Sequence, residues 1–215
     1  MPKDIVSGDF YAFAEKNGEQ IIVAGDCTGH GVSGAFMSMI GSSLLNQIVN
    51  EIEVIDPAEI LNRLNVAVID TLKQGENDTN DGMDISLCAY NADTRTLQYA
   101  GANRPLWLLR KGEFILLKPD KFPIGGLQMA KDRAFKNNTM QLLPGDTFYL
   151  FTDGFADQFG GEFGKKLMSG KFREMLLNIQ ELDMKAQGNY LAASFKKWKG
   201  ENEQVDDVLV MGIRV

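Results

Sequence analysis

Hydrophobic positions along the chain recur first with the period of strands and then with the period of helices. Strand-like runs cover residues 4–13 and 20–26, and turn residues at 16–19 predict a hairpin between them. Apolar side chains then recur every three or four residues over 32–51 and 57–74, which predicts two helices with buried faces. The first third of the chain is therefore predicted to be a β-hairpin followed by two core helices.

The rest of the chain is predicted to hold several short strands, two helices and one last strand. After a polar loop at 74–82, closely spaced strands predict an antiparallel meander over residues 83–91, 97–101, 106–110 and 113–118. Further elements are a strand pair around the turn at 144–146, helices over 164–179 and 184–198, and an apolar strand within 203–213. Together these elements indicate an α+β fold.

One stretch joins a strand to a helix through a carboxylate and a glycine-rich turn. The β-branched strand at 21–26 ends in Asp26, and residues 29–34 fit the G-x-G-x-x-G pattern of a dinucleotide site. Dinucleotide binding predicts a return to a parallel strand, yet a second helix follows, and Asp26 would repel a pyrophosphate. We therefore favour an acidic turn that binds a metal ion, with Asp26 as a simple turn cap as the remaining alternative.

Composition narrows the kind of partner and of metal site. The chain has 215 residues, is 44% hydrophobic and carries a net charge of −7, which is typical of a single globular domain and disfavours nucleic acid. We expect no membrane-spanning run or signal peptide, hence a cytoplasmic protein without membrane contact. Two cysteines and one histidine cannot form a Cys/His zinc site. Any metal must therefore be held by oxygen atoms.

Acidic residues stand beside several of the predicted core strands. They are Asp9, Asp26, Asp153, and Asp206 or Asp207, and none has a basic neighbour in sequence. Four carboxylates in one sheet-rich domain predict neutralisation by divalent cations, and oxygen-only ligation suits Mg²⁺ or Mn²⁺. Two such ions can activate a bridging hydroxide and polarise a phosphoryl oxygen, so phosphate-ester hydrolysis is the predicted chemistry.

The same motifs carry a family resemblance. The segments around Asp9, Asp26, Asp153 and Asp206 resemble, in order, the motifs of the metal-dependent serine/threonine phosphatase (PPM) family, in particular its bacterial branch named after stage II sporulation protein E. The resemblance implies an α-β-β-α sandwich, in which two antiparallel sheets are covered by helix pairs. It also implies two metal ions, Mn²⁺ or Mg²⁺, in a cleft at one edge of the sheets.

The resemblance further implies a role for each acidic residue. Asp26 bridges the two metals, Asp9 and the carbonyl of Cys27 complete one site, and Asp153 with Asp206 completes the other. A hydroxide held between the metals attacks phosphorus directly, so Asp26 and Asp153 are the implied catalytic residues. The role of Asp207 stays open, and a catalytically silent binding module is the alternative function.

Four further residues allow two interpretations each. A redox role for Cys27 is set against burial as a small hydrophobe, and a general-acid role for His30 against ordering of the glycine turn. Arg104 either binds phosphate or, as we favour, belongs to a surface turn. Asp157 either contacts a further metal or, as we favour, caps the next helix.

The resemblance also predicts the setting in which the domain works. Residues 1–215 are expected to form a single phosphatase domain, the C-terminal part of a longer signalling protein with an upstream sensor or receiver domain. The implied substrate is a phosphoserine or phosphothreonine protein of the anti-sigma-factor-antagonist type, in a partner-switching pathway. A homodimer is a further expectation.

Overall fold

The computed structural model describes residues 1–126 and 133–215, and antiparallel strands make up its centre. The strands are β1 (Asp9–Lys16), β2 (Glu19–Cys27), β3 (Gly82–Asn91), β4 (Thr96–Ala102), β5 (Leu106–Arg110), β6 (Glu113–Leu117), β7 (Ile124–Gly125), β8 (Asn138–Gln141), β9 (Thr147–Phe151), β10 (Phe159–Gly160), β11 (Lys165–Lys166) and β12 (Val210–Arg214). The helices are α1 (Gly31–Asn46), continued by a π-helical turn (Gln47–Glu51), α2 (Pro57–Thr71), α3 (Gly154–Asp157), α4 (Met168–Ile179) and α5 (Met184–Lys199).

Two sheets face each other. The first has the strand order β1-β2-β3-β4-β8, with β7 paired to the end of β3, and the second has the order β12-β9-β5-β6. Apolar side chains from the facing surfaces share one core cluster, to which Ile22 and Cys88 contribute from the first sheet and Leu108 and Phe148 from the second. Alternation along each strand places one set of side chains in this central layer and the other set on the outer face.

Helices cover both outer faces. Leu45 of α1 and Leu61 and Leu64 of α2 pack with the outer residues of the first sheet. Phe172 of α4 and Phe195 of α5 pack with the outer residues of the second sheet. The predicted α-β-β-α sandwich of two antiparallel sheets is therefore confirmed.

Three predicted elements are wrong in detail. The strand expected over residues 4–13 begins at Asp9 and continues to Lys16. The strand pair expected around residues 144–146 is not a hairpin, because β8 belongs to the first sheet beside β4 and β9 to the second. The turn passes between the sheets instead, and the buried carboxylate of Asp146 secures it by accepting hydrogen bonds from Leu143 N and from Arg110. The helix expected from residue 164 begins at Met168, since residues 165–166 pair with 159–160 as a short hairpin.

The stretch Gly31–Glu51, formed by α1 and its π-helical turn, is 21 residues long and is apolar enough, by length and composition alone, to cross a membrane. This differs from the expectation that no run approaches that length. Part of the stretch is a core helix, because Met37, Leu45 and Ile48 are buried against the first sheet and α2. One third of the apolar window is buried, and within residues 1–126 and 133–215 this is the one such helix.

Candidate active site

Three aspartates lie in register across neighbouring strands at one end of the first sheet. Asp9 of β1 is directly opposite Asp26 of β2, and Asp26 is directly opposite Asp84 of β3. Directly opposite residues in an antiparallel pair project from the same face of the sheet, with Cβ atoms about 5 Å apart. The hairpin and the next strand therefore assemble a row of three carboxylates.

Asp84 was missed by the sequence analysis. It lies inside a strand that is otherwise almost wholly buried, and no glycine turn marks it. The available signal was a charged residue within an apolar strand, where a carboxylate is costly unless it is paired. The structure gives Asp84 two polar contacts, a hydrogen bond from Asn103 at 2.8 Å and Arg104 Nη2 at 3.4 Å.

The second sheet contributes the remaining carboxylates. Strand β9 leads through Thr152 into Asp153 at the start of α3, and the loop before β12 carries Asp206. Pairing of β9 with β12 brings these two segments together. The hydroxyl of Thr152 donates to Asp9 Oδ2 at 2.6 Å, which links the two sheets at this edge. Asp26, Asp84, Asp153 and Asp206 line one cleft, together with Cys27 and Arg104.

Arg104 lies at the centre of the acidic cleft. Its Nη2 atom donates to Asp26 Oδ2 and to Asp153 Oδ2, both at 2.7 Å, and its side chain is only 17% exposed. The interpretation of Arg104 as a surface turn residue is therefore wrong. The backbone of Asn103 adopts a left-handed conformation (φ 56°), and Tyr99 Oη donates to the carbonyl of Arg104 at 2.5 Å. These two features direct the link between β4 and β5 into the cleft.

The positive charge of Arg104 does not balance the carboxylates around it. Burial raises the pKa of Asp26 to about 8; Arg104 opposes this shift, while Asp9, Asp153 and Asp206 add to it. Burial likewise raises the pKa of Asp9 to about 7, against the hydrogen bond from Thr152 and with help from Asp207 and Asp206. Mutual repulsion in a partly desolvated cleft has this effect on any group of carboxylates. The site therefore favours further cations.

The raised pKa values predict a pH dependence of stability when metal is chelated. Between about pH 4 and pH 7, Asp9 and Asp26 are protonated in the folded chain. In the unfolded chain, where their pKa values are near 3.8, they have already lost these protons. Their contribution is therefore most favourable below about pH 4 and is lost as pH rises through 7 and 8. We expect the free energy of unfolding in chelator to fall by on the order of 5 kcal/mol between pH 5.5 and 8.5.

Urea denaturation at both pH values measures this difference, and Asp26→Asn is the matched variant. Since the amide does not titrate, the fall in stability should be clearly smaller in Asp26→Asn. A wild-type stability that is flat or rising over this range would contradict the electrostatic description of the cleft.

Asp207 has a different role from its neighbour Asp206. Its side chain is 2% exposed and accepts hydrogen bonds from the backbone N–H groups of Lys3 at 2.6 Å and Gly8 at 2.7 Å. It thereby fixes the segment that leads into Asp9. A Cβ on Gly8 would lie 2.7 Å from the carbonyl oxygen of Gly29, so the segment also packs tightly against the glycine turn. Asp207 therefore positions Asp9, and both of its own carboxylate oxygens already accept hydrogen bonds.

Gln158 is a second residue that the sequence analysis missed. It follows α3 directly and is fully buried. Its side-chain amide donates to Glu203 O at 2.9 Å, and its side-chain oxygen accepts from Val205 N at 3.2 Å. Gln158 therefore ties the end of α3, which begins after Asp153, to the loop that carries Asp206. A glutamine between predicted elements has no sequence signature for such a role.

The alternatives for Cys27, His30 and Asp157 are narrowed by their contacts. Cys27 is buried, and burial raises the pKa of its thiol, which favours packing over redox chemistry. The Nδ1 atom of His30 lies 2.9 Å from Asp4 Oδ2, and both side chains are about half exposed. The cap interpretation of Asp157 is wrong, because its carboxylate accepts from Lys166 Nζ at 2.8 Å and Leu167 occupies the N-cap of α4.

The donor atoms of the cleft fit hard divalent cations. Aspartate oxygens are the ligands that Mg²⁺ and Mn²⁺ prefer. The pKa values of Asp9 and Asp26 are raised by burial first and by the neighbouring carboxylates second. Among the described residues, however, no three Asp, Glu, His or Cys side chains are spaced as a preformed cation site. The guanidinium of Arg104 separates Asp26 from Asp153. A cation held by Asp26 and Asp153 together would therefore have to displace the guanidinium of Arg104.

Comparisons with known proteins agree with this architecture. The family model described as stage II sporulation protein E (SpoIIE) matches residues 16–215. The SiaA-PP2C domain of Pseudomonas aeruginosa is 34% identical with a TM-score of 0.89, and the match covers 100% of this chain and 83% of that chain. Among curated proteins, the comparison found no match.

More distant solved structures share the fold. A structure of the RsbU and RsbW domains from a Mycobacterium tuberculosis protein is 21% identical with a TM-score of 0.69; the match covers 98% of this chain and 56% of that chain. RsbX in complex with magnesium is 19% identical with a TM-score of 0.66, over 98% of this chain and 88% of that chain.

The paired sheets, the helix layers and the acidic edge define a phosphatase domain of the PP2C, or PPM, class. Within that class, the chain belongs to the SpoIIE family.

Proposed function

We propose that the chain is a divalent-metal-dependent phosphoprotein phosphatase that hydrolyses phosphoserine or phosphothreonine. The observation that carries this proposal is the row of Asp9, Asp26 and Asp84 in register across three strands, facing Asp153 and Asp206 from the second sheet. Such a concentration of carboxylates is unfavourable unless cations offset it. Family membership makes phosphate-ester hydrolysis the chemistry that those cations serve.

The ligand assignment remains that of the sequence analysis. Asp9, Asp26 and the carbonyl of Cys27 would hold one ion, and Asp26, Asp153 and Asp206 the other. Bound ions of this kind supply Lewis-acid polarisation of a phosphoryl group and lower the pKa of water. Structure comparison supports magnesium as one candidate, since the related RsbX has been solved with it.

Arg104 is the residue of this chain best placed to contact a phosphoryl group. It is the buried cation of the cleft, and its Nε atom is buried without a hydrogen-bond partner in the described part of the chain. A guanidinium offers paired N–H donors that match phosphate oxygens. When cations neutralise Asp26 and Asp153, the guanidinium has less to gain from these carboxylates and is available to an anionic substrate.

The biological setting is proposed from the relatives. One of them combines RsbU and RsbW domains, which supports a partner-switching pathway and a phosphorylated anti-sigma-factor-antagonist-type substrate. We further propose an upstream sensor or receiver domain, a homodimer and a cytoplasmic location. The second candidate function, a catalytically silent binding module, is favoured by one observation: Arg104 already pairs with two of the expected metal ligands.

The experiment that separates these two functions is hydrolysis of p-nitrophenyl phosphate and of a phosphoserine peptide by the purified chain. Both substrates are tested with Mn²⁺, with Mg²⁺ and with chelator. Turnover of both substrates that requires metal would support the phosphatase. A folded chain that binds Mn²⁺ in calorimetry but hydrolyses neither substrate would support the silent module.

A further inference from the structure

Charge is distributed unevenly along this acidic chain. Residues 160–200 contain eight Lys or Arg and four Asp or Glu, a net charge of +4, whereas the whole chain carries −7. The rest of the chain therefore carries −11, and it includes the acidic cleft. An anionic phosphoprotein that approaches the cleft therefore meets repulsion from the net charge of the rest of the domain, whereas the net charge of this segment attracts it.

Part of this segment forms one surface, here called the flap surface and defined by Phe163, Lys165, Lys166, Lys171 and Trp198. Phe163 is 79% exposed at the tip of the β10–β11 hairpin, and the hairpin lysines Lys165 and Lys166 are exposed as well. Phe163, Lys165, Lys171 and Trp198 line a shared pocket, whose one acidic lining residue is Glu162. A large exposed aromatic ring among lysines is a typical anchor of a binding surface.

Trp198 holds this surface in a fixed arrangement. Its indole N–H donates to Gln158 O at 3.0 Å, and its carbonyl accepts from Gly161 N at 2.8 Å. Lys171 Nζ lies 3.9 Å from the centre of its ring, a cation–π contact. The hairpin is therefore docked on α5, which limits the ordering cost of binding a partner.

The flap surface is attached directly to the catalytic segment. Lys166 Nζ donates to Asp157 Oδ2 at 2.8 Å, and Asp157 N donates to Asp153 O at 2.9 Å. Only one turn of α3 therefore separates the hairpin from the Asp153 carboxylate in the cleft. A peptide that extends from the cleft for a few residues reaches Phe163 and the lysines, since an extended chain spans about 3.3 Å per residue.

We propose that the flap surface binds an acidic segment of the phosphoprotein substrate, adjacent to the residue whose phosphoryl group enters the cleft. This inference rests on the proposed function and adds a substrate preference to it. The lysines offset the repulsion between an acidic substrate and the acidic domain, and Phe163 supplies apolar contact area. The charge of −11 on the rest of the chain disfavours nucleic acid as the occupant.

Two phosphoserine peptides of equal length test this preference, one flanked by four Asp or Glu and the other by Gly and Ser. We expect the wild-type chain to favour the acidic peptide by about tenfold in kcat/KM at low salt, and the ratio to shrink in high salt. In the double variant Lys165→Gln/Lys171→Gln the ratio should fall to about threefold or less. Turnover of p-nitrophenyl phosphate should stay within about twofold of wild type, since neither lysine lines the cleft.

The matched control is Lys111→Gln/Lys185→Gln, which removes the same charge from exposed positions outside the flap surface. The control should keep the wild-type ratio. Fluorescence anisotropy of labelled peptides in chelator gives a second readout that needs no turnover, and Phe163→Ser should weaken binding of the acidic peptide there. If the wild-type chain bound the acidic peptide but did not hydrolyse p-nitrophenyl phosphate, the proposed function would be contradicted. The inference that this surface binds acidic peptides would still be supported.

Three results with the peptides would overturn the inference: no preference in the wild-type chain, a preference retained by the flap variant, or an equal loss in the control. The last result would assign the effect to net charge rather than to this surface. Tighter anisotropy binding of a single-stranded oligonucleotide than of the acidic peptide would reassign the surface to nucleic acid.

Discussion

Asp26→Asn is expected to lower metal-dependent hydrolysis of p-nitrophenyl phosphate by about a thousandfold or more in kcat/KM. Asp26 is the central carboxylate of the row, directly opposite both Asp9 and Asp84, and it also contacts Arg104. In the proposed ligand assignment it would contact both cations. Asparagine preserves the shape but removes the charge, so the chain should fold while its affinity for Mn²⁺ falls.

The same isosteric change at Asp183 is the control for this prediction. Asp183 caps α5 by accepting from Ala186 N at 2.8 Å, and asparagine is an equally good N-cap. Asp183→Asn should keep activity within about twofold of wild type. Calorimetric titration with Mn²⁺ provides the readout independent of turnover. If Asp26→Asn retained wild-type activity and Mn²⁺ affinity, both the ligand assignment and the proposed function would be abandoned.

Arg104→Gln is expected to destabilise the chain in chelator by about 3 kcal/mol, the usual cost of removing one partner from a buried ion pair. The variant leaves Asp26, Asp84 and Asp153 without their shared cation. Mn²⁺ should restore most of the lost stability, because the ions and the guanidinium compete for the same carboxylate oxygens. Thermal denaturation with and without Mn²⁺ measures this recovery. We also expect tighter Mn²⁺ binding and slower turnover, if Arg104 contacts the phosphoryl group.

Arg110→Gln is the matched control, because Arg110 makes an equivalent pairing away from the cleft. Its guanidinium contacts the buried carboxylate of Asp146 through Nε and Nη2, at 3.0 Å and 2.6 Å. Loss of that pair should lower stability equally with and without Mn²⁺. If Mn²⁺ restored the stability of both variants, or of neither, Arg104 would not compete with metal for the carboxylates of the cleft.

The position of Arg104 also leads to an expectation for the metal affinity of the cleft. A buried guanidinium between Asp26 and Asp153 partly neutralises the cleft when cations are scarce. Divalent cations that bind Asp26 and Asp153 would have to displace this internal counter-ion, so we expect the apparent metal affinity to be lower than the carboxylates alone would give. We therefore expect the wild-type chain to bind Mn²⁺ weakly and Arg104→Gln to bind it more tightly.

Much of the fold could be predicted from the sequence for physical reasons that are local. The continuous apolar runs of β2 and β3 reflect burial of both strand faces, and the helical periodicity of residues 32–51 reflects burial of one helix face. Neither pattern needs knowledge of distant contacts. The turn at residues 144–146 shows the limit of this approach. Its composition specifies a turn, but only packing decides that β8 and β9 enter different sheets.

The residues of the site also fall into those that the sequence predicted and those that only the structure revealed. The sequence alone determined the family motifs and that Asp9, Asp26, Asp153 and Asp206 stand at strand ends, since an acid beside a glycine turn is a local pattern. Only the tertiary structure decided that Asp84 joins the row, that Arg104 enters the cleft and that Gln158 ties α3 to the Asp206 loop. The physical reason is that strand register and the direction of a buried cation depend on residues far apart in the chain. Arg104 and Asp26 are 78 positions apart, and no local pattern encodes such a pairing.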